Sequence, residues 1–220
     1  MKKIIAITSL LFVCNTLFAQ QTKPAFYDDI RAFKMQDSIG FPPINAILFV
    51  GSSSFTNWTD VQEYFPQYKI INRGFGGSTL VDVIRYADDI IIPYHAKQIV
   101  IYCGENDFAA SDTVTIKTVV DRFKQLFSFI RQHYKNVPIA YLSMKPSPSR
   151  QQLMHKFLYA NRAIKSFLQT KRKTAFIDVY HAMLDAGGKP IKDIFIEDNL
   201  HMNAKGYTIW QKIIAPYLVK

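Results

Sequence analysis

Short apolar runs alternate along the chain with longer stretches in which apolar residues recur every three or four positions. The short runs predict five strands, at residues 44–50, 68–73, 98–103, 137–143 and 175–179. The longer stretches predict helices at residues 24–37, 78–92, 113–134, 151–170 and 203–218, with a short helical connection at residues 55–65. Strands that alternate with helices of this length are typical of a parallel sheet with helices on both faces. We therefore predict an α/β fold.

The first predicted strand is mostly apolar and ends abruptly at Gly51, which is followed by Ser52, Ser53 and Ser54. An apolar run of this length, rich in branched residues, is typical of a central strand in a parallel sheet. Open α/β sheets bind their ligands beyond the carboxyl ends of such strands. Ser53 is therefore our candidate nucleophile.

Two further predicted strands end in glycine-containing loops, at residues 74–77 (Gly-Phe-Gly-Gly) and 104–107 (Gly-Glu-Asn-Asp). Acyl transfer needs hydrogen-bond donors directed at the developing oxyanion. The backbone N–H groups of Ser53 and Gly77 and the side chain of Asn106 are candidates. Two alternatives remain open, because Gly77 also suits a tight turn that needs positive φ and Asn106 also suits a loop cap.

An Asp-x-x-His sequence, Asp198 to His201, lies just before the last predicted helix. A carboxylate three residues ahead of a histidine can accept a hydrogen bond from Nδ1 and leave Nε2 to take a proton from a serine hydroxyl. Taken alone, the same spacing is common in surface loops and helix caps. Its weight comes from the serine and the oxyanion donors at the other strand ends.

The first nineteen residues have the order of a secretory signal peptide. Lys2 and Lys3 precede an apolar run at residues 4–13, and the segment ends with Leu17, Phe18 and Ala19. We predict cleavage after Ala19, a single domain at residues 20–220 and a secreted or periplasmic location. The alternative is an uncleaved anchor, for which the run is shorter than the roughly 20 residues that a membrane span needs.

The chain carries 27 basic and 17 acidic residues, and loss of Lys2 and Lys3 with the signal leaves 25 basic ones and a net charge of +8. Such a charge is compatible with nucleic acid, an anionic envelope surface or an acidic substrate. The basic residues are scattered, and the one tight run, residues 171–173, is typical of a solvated helix end. We therefore predict no nucleic-acid partner. Cys103 lacks a partner once Cys14 is removed, and we expect it to pack as a small hydrophobic residue.

Four sequence blocks, in order, resemble those of the SGNH (GDSL-type) esterases and lipases. They are residues 51–54 (Gly-Ser-Ser-Ser), 72–77 (Asn-Arg-Gly-Phe-Gly-Gly), 104–107 (Gly-Glu-Asn-Asp) and 198–201 (Asp-Asn-Leu-His). The resemblance implies a flavodoxin-like three-layer sandwich with a five-stranded parallel sheet, and no metal or cofactor.

The resemblance also assigns roles to individual residues. It makes Ser53 the nucleophile, His201 the base and Asp198 the acid that orients it. It makes Gly77 and Asn106 oxyanion donors beside the Ser53 amide. The family has Asp before this serine and Leu after it, whereas this chain has serine at both places. We assign Ser53 because it lies two residues after Gly51, as the family's serine does.

Three functions follow as hypotheses. The first is a serine esterase that removes a short acyl group, acetyl by preference, from a carbohydrate or envelope ester. The second is a lysophospholipase or thioesterase that acts on longer acyl chains. The third is a catalytically silent carbohydrate-binding relative, against which the complete set of Ser53, Asn106, Asp198 and His201 argues.

Overall fold

A computed structural model describes residues 23–220 of the chain. The predicted signal peptide, residues 1–19, lies outside the described residues. Within residues 23–220, no helix is both long enough and apolar enough to cross a membrane. In the same range, Cys103 is a free, buried thiol, as expected for a cysteine that packs as a small hydrophobic residue.

Five parallel strands form one sheet in the order β2-β1-β3-β4-β5. They are β1 (Ile47–Gly51), β2 (Ile70–Gly74), β3 (Gln98–Tyr102), β4 (Ile139–Leu142) and β5 (Thr174–Ile177). This strand order is that of the flavodoxin-like doubly wound fold. The predicted α/β class and the five-stranded parallel sheet are confirmed.

The α-helices of this part of the chain cover both faces of the sheet. They are α1 (Tyr27–Ile39), α2 (Ser53–Thr56), α3 (Val61–Tyr64), α4 (Leu80–Arg85), α5 (Ala87–Ile90), α6 (Glu105–Ala110), α7 (Ile116–His133), α8 (Met154–Gln169) and α9 (Ala204–Ile214). Short 3₁₀ helices lie at Ile92–Tyr94, Pro148–Leu153, His181–Met183, Lys192–Ile194 and Ala215–Tyr217.

The core has two halves, one on each face of the sheet, because side chains along a strand alternate between its faces. Leu48 and Val50 of β1 pack with α1, α4, α5, α7 and α8. Ile47 and Phe49 pack on the other face with α2, α3 and α9. β1 is buried along its whole length, as predicted for a central strand.

The predicted helix at residues 78–92 is divided into α4, α5 and a 3₁₀ turn. It begins where expected, because Thr79 and Asp82 form a capping box at the start of α4. It breaks at Tyr86, whose ring packs edge-on against Phe75 and whose hydroxyl donates to the carbonyl of Ala25 at 2.7 Å. These contacts link residues distant in sequence, so local periodicity could not predict the break.

The last strand also ends earlier than predicted, at Ile177. The backbone N–H groups of Val179 and Tyr180 donate to Ser143 Oγ, at 3.0 and 2.9 Å, instead of to a neighbouring strand. The buried hydroxyl of Ser143 thus accepts the backbone hydrogen bonds that the carbonyls of a neighbouring strand would otherwise accept.

Candidate active site

Three of the predicted site residues follow the carboxyl ends of three adjacent strands. Ser53 follows β1, Gly77 follows β2 and Asn106 follows β3. In the order 2-1-3-4-5, the topological switch point lies between β1 and β3, and ligands of doubly wound sheets bind in the crevice there. The sheet topology thus places the first three candidates at one edge.

Burial distinguishes the three consecutive serines. Ser52 and Ser54 are 4% and 2% exposed, whereas Ser53 is partly exposed. The backbone N–H of Ser52 donates to the carbonyl of Tyr102 at 3.0 Å and extends the pairing of β1 with β3 by one residue. Ser53 then begins α2 as the one serine of the three with solvent access.

Glycines at the ends of β1 and β2 allow the backbone to pack closely around this turn. A Cβ on Gly51 would lie 1.8 Å from the carbonyl oxygen of Tyr102, and Gly51 has a φ of 148°. A Cβ on Gly74 would lie 2.7 Å from Cβ of Phe55 in α2. Any larger residue at either position would displace the turn that carries Ser53.

Ser78 connects the three loops by hydrogen bonds. Its Oγ donates to the carbonyl of Gly51 at 3.2 Å, and its own carbonyl accepts from Asn106 Nδ2 at 3.0 Å. Ser78 is fully buried, so these bonds are shielded from water. Its neighbour Gly77 has a φ of 83°, the positive value expected for a tight turn.

Asp198 and His201 form a hydrogen-bonded pair. His201 Nδ1 donates to Asp198 Oδ2 at 2.5 Å, and Asp198 Oδ1 accepts from the backbone N–H groups of Leu200 and His201 at 2.9 Å each. Partial desolvation would raise the pKa of Asp198, but these donors outweigh it and lower that pKa to about 2. The carboxylate is therefore charged at neutral pH. Because it accepts from Nδ1 of His201, it does not occupy the other ring nitrogen, Nε2.

A short irregular hairpin fixes the turn that carries this pair. Phe195 and Met202 form an antiparallel bridge, and the backbone N–H of Ile196 donates to the carbonyl of His201 at 2.9 Å. Asn203 then caps α9 by accepting from the backbone N–H groups of Lys205 and Gly206. The predicted Asp-x-x-His sequence thus lies directly before a capped helix.

Three charged residues beside these loops were not predicted from the sequence as part of the site: Glu105, Lys145 and Arg150. Glu105 Oε2 accepts from Lys145 Nζ at 3.2 Å and from Arg150 Nη1 at 3.4 Å. Glu105 and Lys145 are buried, and burial lowers the pKa of Lys145 although the nearby Glu105 carboxylate opposes this change. In the sequence, these residues are visible only as a glutamate inside the third block and as two basic residues between β4 and α8.

A second Asp–His pair has the same local geometry. His181 Nδ1 donates to Asp178 Oδ2 at 2.7 Å, again with a spacing of three residues. This pair follows β5, at the edge of the sheet furthest from β2, whereas Ser53 follows β1. Spacing alone therefore does not distinguish the two pairs.

Within residues 23–220, no group of three or more His, Cys, Asp or Glu side chains is arranged so that it could bind a metal ion.

The sequence at residues 42–209 matches the model of the GDSL-like lipase/acylhydrolase family. This match covers all four blocks and most of the chain. No curated protein matches the chain at the sequence level.

Several solved structures share the fold. A protein of Streptococcus pneumonia, provisionally described as a platelet activating factor, is 21% identical, with a TM-score of 0.76 over 87% of this chain and 92% of that one. A GDSL-like lipase of Bacteroides thetaiotaomicron is 18% identical, with a TM-score of 0.73 over 86% and 96%. An acetyl xylan esterase of Geobacillus stearothermophilus is 13% identical, with a TM-score of 0.64 over 81% and 99%.

Proposed function

The chain belongs to the GDSL-like lipase/acylhydrolase family of carboxylic ester hydrolases, and we propose that it is a serine esterase that removes short acyl groups, acetyl by preference, from a carbohydrate or envelope ester. The main support is the hydrogen-bonded connection between the loops after β1, β2 and β3 through Ser78, with the one accessible serine in the first loop. Export of the chain remains a prediction from residues 1–19.

In the proposed mechanism, Ser53 Oγ attacks the ester carbonyl while His201 Nε2 accepts its proton. His201 then donates this proton to the departing alcohol, and an acyl group remains on Ser53. Water attacks the acyl-enzyme in a second, equivalent step and releases the acid. Asp198 accepts the Nδ1 hydrogen bond throughout, which fixes the tautomer and stabilises the imidazolium.

The oxyanion of each tetrahedral intermediate would accept hydrogen bonds from the backbone N–H groups of Ser53 and Gly77 and from Asn106 Nδ2. One N–H of Asn106 Nδ2 donates to Ser78, and the other is available for this role. Donors that are fixed before the reaction stabilise charge as it develops, without reorganisation.

Two observations support a short acyl group. Phe26 packs edge-on against Phe75, and its ring lies 3.9 Å from the position that a Cβ would take on Gly77, so an aromatic side chain narrows the space beside this candidate donor. The acetyl xylan esterase of Geobacillus stearothermophilus shares the fold, which makes an acetylated carbohydrate a reasonable first substrate to test.

A chain-length series tests this proposal. With p-nitrophenyl acetate, butyrate and octanoate, kcat/KM is expected to be at least about tenfold higher for acetate than for octanoate, because the Phe26 ring leaves less space beside Gly77 for additional methylenes. Release of acetate from acetylated xylooligosaccharide tests the carbohydrate part. A preference for octanoate would favour the lysophospholipase alternative. A hydrolysis rate no higher than that in buffer without protein would favour a carbohydrate-binding protein without catalytic activity.

Asn106→Ala is expected to lower kcat by about 10²- to 10³-fold with little change in KM, because the lost hydrogen bond strengthens only as charge develops on the oxyanion. Steady-state kinetics on p-nitrophenyl acetate measures both constants. Asn136→Ala, an exposed asparagine before β4, is the matched control and is expected to keep wild-type kinetics. A change in KM alone would indicate that Asn106 binds the ground state instead.

A further inference from the structure

The side-chain amide of Asn106 is bonded at both of its polar atoms. Arg150 Nη2 donates to Asn106 Oδ1 at 2.9 Å, and Asn106 Nδ2 donates to the carbonyl of Ser78 at 3.0 Å. A guanidinium can only donate and a carbonyl can only accept, so both partners require the same orientation of the amide. A rotation by 180° would break both hydrogen bonds.

Arg150 is itself fixed by a buried carboxylate. Glu105 Oε2 accepts from Arg150 Nη1, and the same carboxylate accepts from Nζ and from the backbone N–H of Lys145. The side chains of Glu105 and Lys145 are 6% and 1% exposed, and that of Arg150 is 16% exposed. Charge-assisted hydrogen bonds in such surroundings are stronger and more restrictive than those on the surface.

The loop that carries Arg150 also contacts the turn between Asp198 and His201. The backbone N–H of Ser149 donates to the carbonyl of Asn199 at 3.1 Å. Residues 149–150, in the 3₁₀ helix Pro148–Leu153, thus connect the loop of the proposed oxyanion donor with that of the proposed base.

We propose that Arg150 is a positioning residue for the oxyanion hole. It fixes the Asn106 amide so that the second Nδ2 hydrogen points toward the developing oxyanion, and its positive charge polarises the amide and strengthens that donor. This inference rests on the proposed function, because it concerns the same hydrogen bond.

Arg150→Gln is expected to lower kcat for p-nitrophenyl acetate by about 10- to 100-fold, with a change in KM below about threefold. Arg150→Lys retains the charge but lacks the planar fork, and it is expected to recover part of this loss. The Asn106→Ala background provides the decisive comparison. There Arg150→Gln is expected to cost less than about threefold, since the amide that it orients is already absent.

Arg122→Gln is the matched control. Arg122 donates to the buried Asp107 at 2.7 Å, so this variant also removes an arginine that is paired with an acid of α6. It is expected to lower the melting temperature and to leave kcat within about twofold of wild type. A loss of kcat in Arg150→Gln but not in Arg122→Gln would therefore indicate an effect on the orientation of Asn106, and not a general loss of stability near α6.

Three results would overturn the inference: wild-type kcat in Arg150→Gln, an equal loss in both backgrounds, or an effect confined to KM, which would indicate contact with substrate. If Arg150→Gln does not fold, Arg150→Lys in the two backgrounds gives the same comparison. Failure of the proposed function is distinguishable, because then Ser53→Ala would retain activity. An active wild type and an inactive Ser53→Ala, with unchanged Arg150→Gln, would reject this inference alone.

Discussion

Ser53→Ala is expected to lower kcat for p-nitrophenyl acetate by about 10⁴- to 10⁶-fold. The variant lacks the oxygen that we propose attacks the carbonyl, so only water, assisted by the remaining donors, could react. Loss of the nucleophile in such a triad costs about as much as loss of the whole set. A burst of p-nitrophenol in the wild type, absent from the variant, would report the acyl-enzyme.

Ser52→Ala and Ser54→Ala are the matched controls for this experiment. Both serines are buried, and Ser54 contacts α9 through its backbone carbonyl, which accepts from the Tyr207 hydroxyl at 3.0 Å. Neither change removes that contact, so both variants are expected to retain most of the activity. Full activity in Ser53→Ala would reject this serine, and loss of activity in one neighbour alone would transfer the role to it.

His201→Ala is expected to lower kcat by a similar factor, about 10⁴- to 10⁶-fold, because no other group then accepts the Ser53 proton. The loss in Asp198→Ala is expected to be smaller than that in His201→Ala by about one to two orders of magnitude, since the proposed role of Asp198 is only to orient and stabilise the imidazole. His181→Ala is the control that the chain itself provides. It removes a histidine with the same pairing to an aspartate, and activity is expected to remain within about twofold of wild type.

The pH dependence distinguishes the two partners of the pair. Because the pKa of Asp198 is lowered to about 2, this carboxylate stays charged as the pH falls from neutral toward that value. A loss of kcat/KM well above pH 2 is therefore not due to protonation of Asp198, whereas an imidazolium in the role of the base could not accept the Ser53 proton. We expect such an acid limb in the wild type and not in the residual activity of His201→Ala. An acid limb that persists in the variant, or wild-type activity there, would mean that the base lies elsewhere.

Much of the fold was predictable from the sequence because strands buried on both faces are mostly apolar. β1 and β3 are such strands, and each predicted run overlaps a strand of the observed sheet. The alternation with helices then fixed the parallel arrangement, since a parallel connection needs a crossover of helical length. The glycines that end β1 and β2 were also visible in the sequence, as was the order of the four blocks.

The choice of Ser53 from the sequence rested on its spacing from Gly51. Three consecutive serines have the same chemistry, and the folded chain adds a second difference, because Ser52 and Ser54 are buried whereas Ser53 is partly exposed. Likewise, two Asp-x-x-His sequences have the same local hydrogen bonds, and only their contacts with distant segments differ. Within the first sequence, the backbone N–H groups of Val179 and Tyr180 donate to Ser143 Oγ, whereas in the second the carbonyl of Asn199 accepts from the backbone N–H of Ser149.

The sequence by itself thus determined the fold class, the central strand and the polar loops at the carboxyl ends of the strands, because these depend on local patterns of burial. Only the tertiary structure decided which charged groups meet. Arg150 donates a hydrogen bond to Asn106 although the two residues lie 44 positions apart in the chain. Lys145 donates to Glu105 across 40 positions. Burial of a charged residue is costly unless an oppositely charged or hydrogen-bonding group lies next to it. Here that group comes from a distant segment of the chain, so a local sequence pattern cannot predict the pair.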